Sequence, residues 1–305
     1  MQEKNVTEIL SELVKIKSIS SDKNHIADVK KSAEFVEKLF LELGLQTKIA
    51  TSGNSRPAVL AQTEINPDRK TVLLYAHHDV QPVGDINKWE TDPFNPEIIN
   101  GRLFGRGSGD NKAGVVIHHE VVKELMKDLP VNIKIFIEGE EEIGSPCMAE
   151  FLDEFNKELE ADVIVIADSG NIRIGTPTVT TSLRGLVDGF IEVDQPMRPV
   201  HSGVGGGVVP DAFMVLSKII ASFHNEKGEL QIEGLTSSDM DVLELKEEEI
   251  KKIFGSEDIN LFELDSISKR LWLEPALSIL AIDAPSTKEA VNLDIPNAKA
   301  KVSLR

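Results

Sequence analysis

The chain has 305 residues and a formal charge of −18 at pH 7, with 51 acidic against 33 basic side chains. That balance speaks against nucleic acid or an anionic membrane surface as a partner, because a binder of phosphates would lose its electrostatic driving force. The 41% hydrophobic content suffices for a real core, and one cysteine, Cys147, excludes an intrachain disulfide and a cysteine-rich zinc site.

The opening MQEKNVTEIL lacks the basic and apolar regions of a secretory signal, and no apolar run approaches the ~18 residues needed to span a bilayer. The expectation is a cytoplasmic enzyme or binding protein. Residues 6–17 place Val6, Leu10, Leu13 and Ile16 on one helical face, and a second helix runs from His25 to a stop at Gly44. TKIA, AVLAQTEI and TVLLYA then read as strands, the last of the kind buried on both faces. EIINGRLFGRG is a hairpin turning at Asn100-Gly101. A helix over 113–129, a strand over 131–138, a helix over 146–159 and a buried strand over 161–168 follow. Alternating strands and helices predict an α/β layer with a mostly parallel sheet. From about residue 178 the pattern changes to alternating strands, a helix over 211–226, an acidic, weakly patterned helical excursion over 235–270, and strands over 275–283 and 298–305. This texture predicts a smaller α+β domain, with the boundary placed between 1–180 and 181–305.

Three apolar strands end on chemistry. TVLLYA runs into His77-His78-Asp79, KIFIEG into Glu140-Glu141-Glu142, and VIVIA into Asp168. In open α/β sheets ligands bind at the carboxyl ends of strands. Asp110 joins them in the glycine-rich GRGSGDNKAG. Two carboxylates about 4 Å apart repel by roughly 4 kcal/mol at an effective dielectric of ~20, so crowded glutamates either face water or surround a cation. His77, Asp110, Glu142 and Asp168 make a donor set for Zn, Mn or Co. With this many carboxylates, two ions bridged by one of them balance the charge better than one. Asp79 is placed to orient the His77 ring, and Glu141 to take a proton from water as general base. For Glu138 and Glu140 the solvated-surface reading stays open. His118-His119-Glu120 lacks the second histidine of HExxH and reads as structural, as do His25, His224 and Cys147 as surface or packing residues. The glycines at 105, 107 and 109 miss the nucleotide-binding spacings.

YAHHDVQPV, WETDPFNPEIINGRLFGRGSGDNKAG, EGEEEIGS, IADSG and VHSGVGGGVVPDA occur in the order found in peptidase family M-twenty. The chain resembles that family along nearly its whole length, and YAHHDVQP with WETDPF is most similar to its carnosinase-type dipeptidase branch. The resemblance implies a metallo-exopeptidase catalytic domain and a smaller lid domain that forms a homodimer. It implies two divalent ions, Zn first and Mn or Co also accepted. His77 then resembles a ligand of one metal, completed by Asp168, with Asp79 orienting it. Asp110 resembles the bridging ligand, Glu142 a ligand of the other metal, and Glu141 the general base. His201 is similar to the lid histidine that steadies the oxyanion in the partner's site, and Arg305 to the arginine that grips the substrate carboxylate. The implied reaction is hydrolysis of the amide bond of a dipeptide or N-acyl amino acid.

Two departures stand out. Ala113 replaces the glycine that usually follows Asp-x-Lys. Family members also continue past SLR, supplying a last histidine ligand for the Glu142 metal, whereas this sequence ends at Arg305, so both domains read as incomplete. The rival expectation is therefore a catalytically impaired metal-binding or dimerisation fragment, and a third is an N-acyl amino acid deacylase.

Overall fold

The computed structural model describes residues 5–262 and 264–305. The chain forms two compact units, Met1–Thr178 and Val179–Arg305, and each is described by itself.

Asn5 opens α1 (Val6–Val14) with a reciprocal cap. Its side chain accepts the Glu8 N–H at 2.9 Å, and Glu8 accepts the Asn5 N–H at 3.0 Å. α2 (Ile26–Glu42) ends at Gly44, whose φ of 88° is the left-handed stop expected there. β1 (Gln46–Ala50), β2 (Ala58–Gln62) and β3 (Thr71–His77) follow. The hairpin of β4 (Glu97–Ile99) and β5 (Arg102–Phe104) turns at Asn100-Gly101, both with positive φ. α3 (Lys112–Leu125), β6 (Asn132–Glu138), α4 (Met148–Glu154), α5 (Asn156–Leu159) and β7 (Val163–Ile166) complete the first unit. The helix expected over 146–159 is thus two pieces, broken where Phe155 leaves helical geometry at ψ 22°.

The sheet order is β1-β2-β6-β3-β7. β3 runs parallel to both β6 and β7, while β2 is antiparallel to β6 and to β1. The parallel half is what positions the site, because it delivers the carboxyl ends of β3, β6 and β7 to one edge. β6 is buried at every position. Its Ile133, Ile135 and Ile137 pack with Leu13 of α1, Phe40 of α2 and Val115 of α3. On the other face Phe136 stacks on Phe151 of α4, with ring centroids 5.2 Å apart. Lys134, in the same strand, turns its Nζ onto the Lys157 and Glu160 carbonyls at 2.8 and 2.7 Å, capping α5.

β7 departs from expectation. VIVI reads as a buried strand, yet Val163 to Ile166 are 44–60% exposed on both faces. β7 is the edge strand, and its only pairing among the described residues is with β3.

The second unit contains β8 (Val187–Asp194), β9 (Val200–His201), α6 (Ser202–Gly205), α7 (Ala212–Ser222), α8 (Glu247–Phe254), α9 (Ile267–Trp272), β10 (Leu277–Asp283), β11 (Leu293–Asp294) and β12 (Asn297–Leu304). β12 lies between β10 and β8, antiparallel to both. α7 starts at Asp211, whose side chain caps the Met214 N–H at 3.0 Å, and packs Ala212 and Leu216 on Ala298 and Ala300. No helix of the described residues is long and apolar enough to cross a membrane.

The first turn of α3 lies hard against the chain leaving β7. A Cβ on Gly114 would sit 2.3 Å from the Ala167 carbonyl oxygen and 2.4 Å from Asn111 Oδ1. Gly114→Ala is expected to cost roughly 1–3 kcal/mol, the scale of core overpacking, read as an earlier urea midpoint. An unchanged midpoint would mean that this contact does not constrain the fold.

Candidate metal centre

His77 ends β3 and is fully buried, as is Asp79 two residues on. The ring Nδ1 is hydrogen-bonded to the Asp79 backbone oxygen at 3.2 Å and lies at ion-pair distance, 3.3 Å, from Asp79 Oδ1. Asp79 Oδ2 accepts the Ser20 hydroxyl at 2.6 Å and the Glu142 N–H at 3.1 Å. Held from behind, the ring presents Nε2 to three carboxylates: Asp110 Oδ1 at 3.1 Å, Glu141 Oε2 at 3.6 Å and Asp168 Oδ2 at 3.8 Å.

Those carboxylates arrive from different elements. Asp110 precedes α3, joined to Asn111 by a cis peptide bond. Glu141 begins a short 3-10 turn, Glu141–Ile143, just beyond β6. Asp168 follows β7. One donor atom each from His77, Asp110 and Asp168 lies within 4.8 Å of the others. A buried imidazole with its far nitrogen occupied and partly exposed carboxylate oxygens before it fits a hard or borderline divalent cation. Glu141 stands beside that group without belonging to it. Glu142 also lies outside it, with its main chain tied at both ends, the N–H to Asp79 and the carbonyl to Gln81 Nε2 at 2.7 Å.

The electrostatics follow from this crowding. Burial pulls the His77 pKa down, but Asp79 and the charges of Asp168 and Glu141 prevail and hold it at about 9 in the metal-free chain. Burial likewise opposes ionisation of Asp79, yet His77 and the Ser20 hydroxyl keep its carboxyl below the usual range. Glu141 is raised, first by burial and then by Asp168 and Glu142 against the opposing pull of His77. Glu142 is raised by burial, with Asp110 adding to it.

Asn111 was not singled out in the sequence. Its Nδ2 donates to the Ala167 carbonyl at 2.6 Å and to Asp168 Oδ1 at 2.8 Å, and its Oδ1 accepts the His77 N–H at 3.3 Å. A side-chain amide offers a donor and an acceptor at one tip, which suits it to bridge a carboxylate and a backbone N–H. The solvated-surface reading of Glu138 and Glu140 is corrected, as both are buried. Glu138 accepts the Tyr75 hydroxyl at 2.6 Å, while Glu140 accepts the Arg56 and Cys147 N–H groups at 2.9 and 3.0 Å. His118 Nε2–H donates to the Tyr75 carbonyl at 2.8 Å and His119 pairs with Glu120 at 3.0 Å, both structural. His201 and Arg305 belong to the second unit. His201 Nδ1 accepts the Gly203 N–H at 3.0 Å, and Arg305 pairs its backbone with Ala276 at 2.8 Å.

Residues 73–265 match the description Peptidase family M20/M25/M40. A cysteinylglycine-S-conjugate dipeptidase of Corynebacterium striatum is 32% identical over 304 residues, covering 97% of this chain and 67% of that protein. A human beta-Ala-His dipeptidase is 33% identical, covering 77% of this chain and 50% of its own length. The crystal structure of human carnosine dipeptidase 1 superposes with a TM-score of 0.78 at 26% identity, over 98% of this chain and 69% of that one. A metallo-carboxypeptidase from Sulfolobus solfataricus gives 0.79 at 26% identity, over 99% and 71%. The chain therefore spans from half to about two thirds of the length of these relatives.

A cation can use His77 Nε2 only after its proton leaves. With that pKa held at about 9, apparent metal affinity should rise about tenfold per pH unit from neutrality to pH 9 and level off above it. Competition against a chelating dye measures this, and a flat profile would remove His77 from the ligand set. Asn111→Leu, which keeps the branched shape and deletes all three hydrogen bonds, should weaken binding about 10–100-fold, the usual scale for residues that orient ligands.

Proposed function

Because the chain belongs to peptidase family M20/M25/M40, we propose that it is a metal-dependent exopeptidase hydrolysing the amide bond of a dipeptide. The observation that carries this reading is Glu141. Its carboxylate lies 3.6 Å from His77 Nε2, beside a donor group that it does not join. A carboxylate kept out of the ligand set and raised in pKa by its surroundings is suited to general base work.

In this reading His77, Asp110 and Asp168 would hold one divalent ion, and Asp110 and Glu142 would hold a second. Zn is favoured, with Mn or Co accepted by the same donors. When bound, such ions supply Lewis acidity toward a carbonyl and lower the pKa of water. Glu141 takes the proton from the attacking water and returns it to the leaving amine. Asp79 keeps the His77 ring aligned, and Asn111 keeps Asp168 aligned. Residues 1–180 form the catalytic domain, and 181–305 a lid through which two copies pair. His201 of a partner copy donates to the developing oxyanion, and Arg305 pairs with the substrate carboxylate. The dipeptidase names of the C. striatum and human relatives favour a free dipeptide over an N-acyl amino acid.

Glu141→Gln should retain metal and lose at least ~100-fold in rate, measured on dipeptides after reloading the chelated chain. Turnover equal to that of the unaltered chain would remove Glu141 from the mechanism. Elemental analysis of the reloaded protein should return two ions per chain, and one ion or none favours the metal-binding fragment. Faster turnover of N-acetyl amino acids than of dipeptides would convert the assignment to a deacylase.

A further inference from the structure

The second unit contains a cavity of about 290 Å³ bordered by α8, α9 and the start of β10. Leu230, Phe254 and Leu271 contribute to a mainly apolar wall. Its charged or titratable lining residues are Arg184, His224 and Arg270, and no acidic side chain lines it among the described residues. In a chain of net charge −18 that is a local reversal of sign.

The two arginines are incompletely served. Arg270 Nη1 pairs with Glu274 Oε2 at 3.2 Å, but its Nε is buried without a hydrogen-bond partner. Among the described residues, Arg184 hydrogen-bonds the Glu274 carbonyl alone, at 3.5 Å. Burial, and then the neighbouring charge of Arg305, disfavour the Arg184 cation. A guanidinium short of partners at the end of an apolar chamber is a receptor for a planar anion, since its fork of N–H donors matches a carboxylate. The volume is about twice the ~150 Å³ of an apolar cavity that takes a benzene ring, room for a tail of roughly eight carbons.

We propose that this cavity binds a small amphipathic monocarboxylate, with its tail among Leu230, Phe254 and Leu271 and its carboxylate on Arg184 and Arg270. The site is built from the second unit alone, so it stands or falls apart from the metal-centre reading.

Calorimetric titration of the metal-stripped full chain with sodium octanoate tests it, with 1-octanol and octylamine as comparison ligands. Octanoate should bind one to one, with octanol at least about tenfold weaker and octylamine not bound. Arg184→Gln should weaken octanoate at least about tenfold and leave octanol unchanged. Leu271→Trp, checked for folding by circular dichroism, should exclude both. Should Leu271→Trp not fold, the Arg184→Gln comparison decides alone. Octanoate binding no tighter than octanol, insensitivity to Arg184→Gln, or no heat at millimolar ligand would each overturn the proposal.

Discussion

The contact between the buried His77 ring and the buried Asp79 carboxylate governs the geometry of the whole carboxyl edge of the sheet. Taking an imidazole and a carboxylate out of water is costly, and their attraction repays it only where further hydrogen bonds complete the pair. Here the Ser20 hydroxyl and the Glu142 N–H supply them. These two donors come from the loop after α1 and the loop after β6, so satisfying one carboxylate ties both loops to the end of β3. Arg56 extends the tie. Its guanidinium donates to the Ser20 carbonyl at 3.0 Å while its own N–H is accepted by Glu140 at 2.9 Å. With its back so fixed, the His77 ring has one direction left for Nε2, and that direction contains Asp110, Glu141 and Asp168.

A second anchor holds the loop that carries Asp110. Asn111 and Lys112 are consecutive, and both are buried. Asn111 faces the strand ends, joining β3 to the chain after β7. Lys112 faces the other way and donates to the Leu13 and Ile16 carbonyls at 3.0 and 2.7 Å, at and just beyond the end of α1. Burial draws its ammonium pKa down to about 7. Asp110, exposed between a glycine-rich stretch and these two buried side chains, is thus carried on a backbone anchored immediately beside it. Close packing of Gly114 on Ala167 secures the same junction.

Much of this was legible because strand topology fixes placement. Three apolar strands ending in His77, Glu141-Glu142 and Asp168 meet at one edge once they run parallel, and β6-β3-β7 do. The roles assigned through family resemblance go further than that argument reaches. What could not be read depended on partners distant in the chain. Glu138 and Glu140 look like solvated acids until Tyr75, Arg56 and Cys147 supply their donors. Asn111 carries no motif of its own, and its value lies in what the ends of β3 and β7 offer it. VIVI conveys what a strand needs buried, not what covers it, and β7 has a neighbour on one side only among the described residues. Phe155 leaves helical geometry in the middle of a helical pattern, although its ring still packs on Phe151 four residues back, 4.6 Å between centroids.

Charge balance links these local arrangements to the ion number. Asp79, Asp110, Glu141 and Asp168 all lie within 3.8 Å of a His77 ring nitrogen. Their formal charge is minus four, which a doubly protonated His77 reduces to minus three. One divalent cation displacing the Nε2 proton brings the cluster to minus two, and a second brings it to zero. The raised His77 pKa reflects that uncompensated field, and the Glu141 pKa is raised first by burial and further by Asp168 and Glu142. A first cation removes the proton from His77 and also weakens the field that lifts Glu141, but leaves enough negative charge to attract another. Glu142, raised by burial and by Asp110, adds a further carboxylate on the side away from His77. That residual charge is what supports the proposal of a second ion.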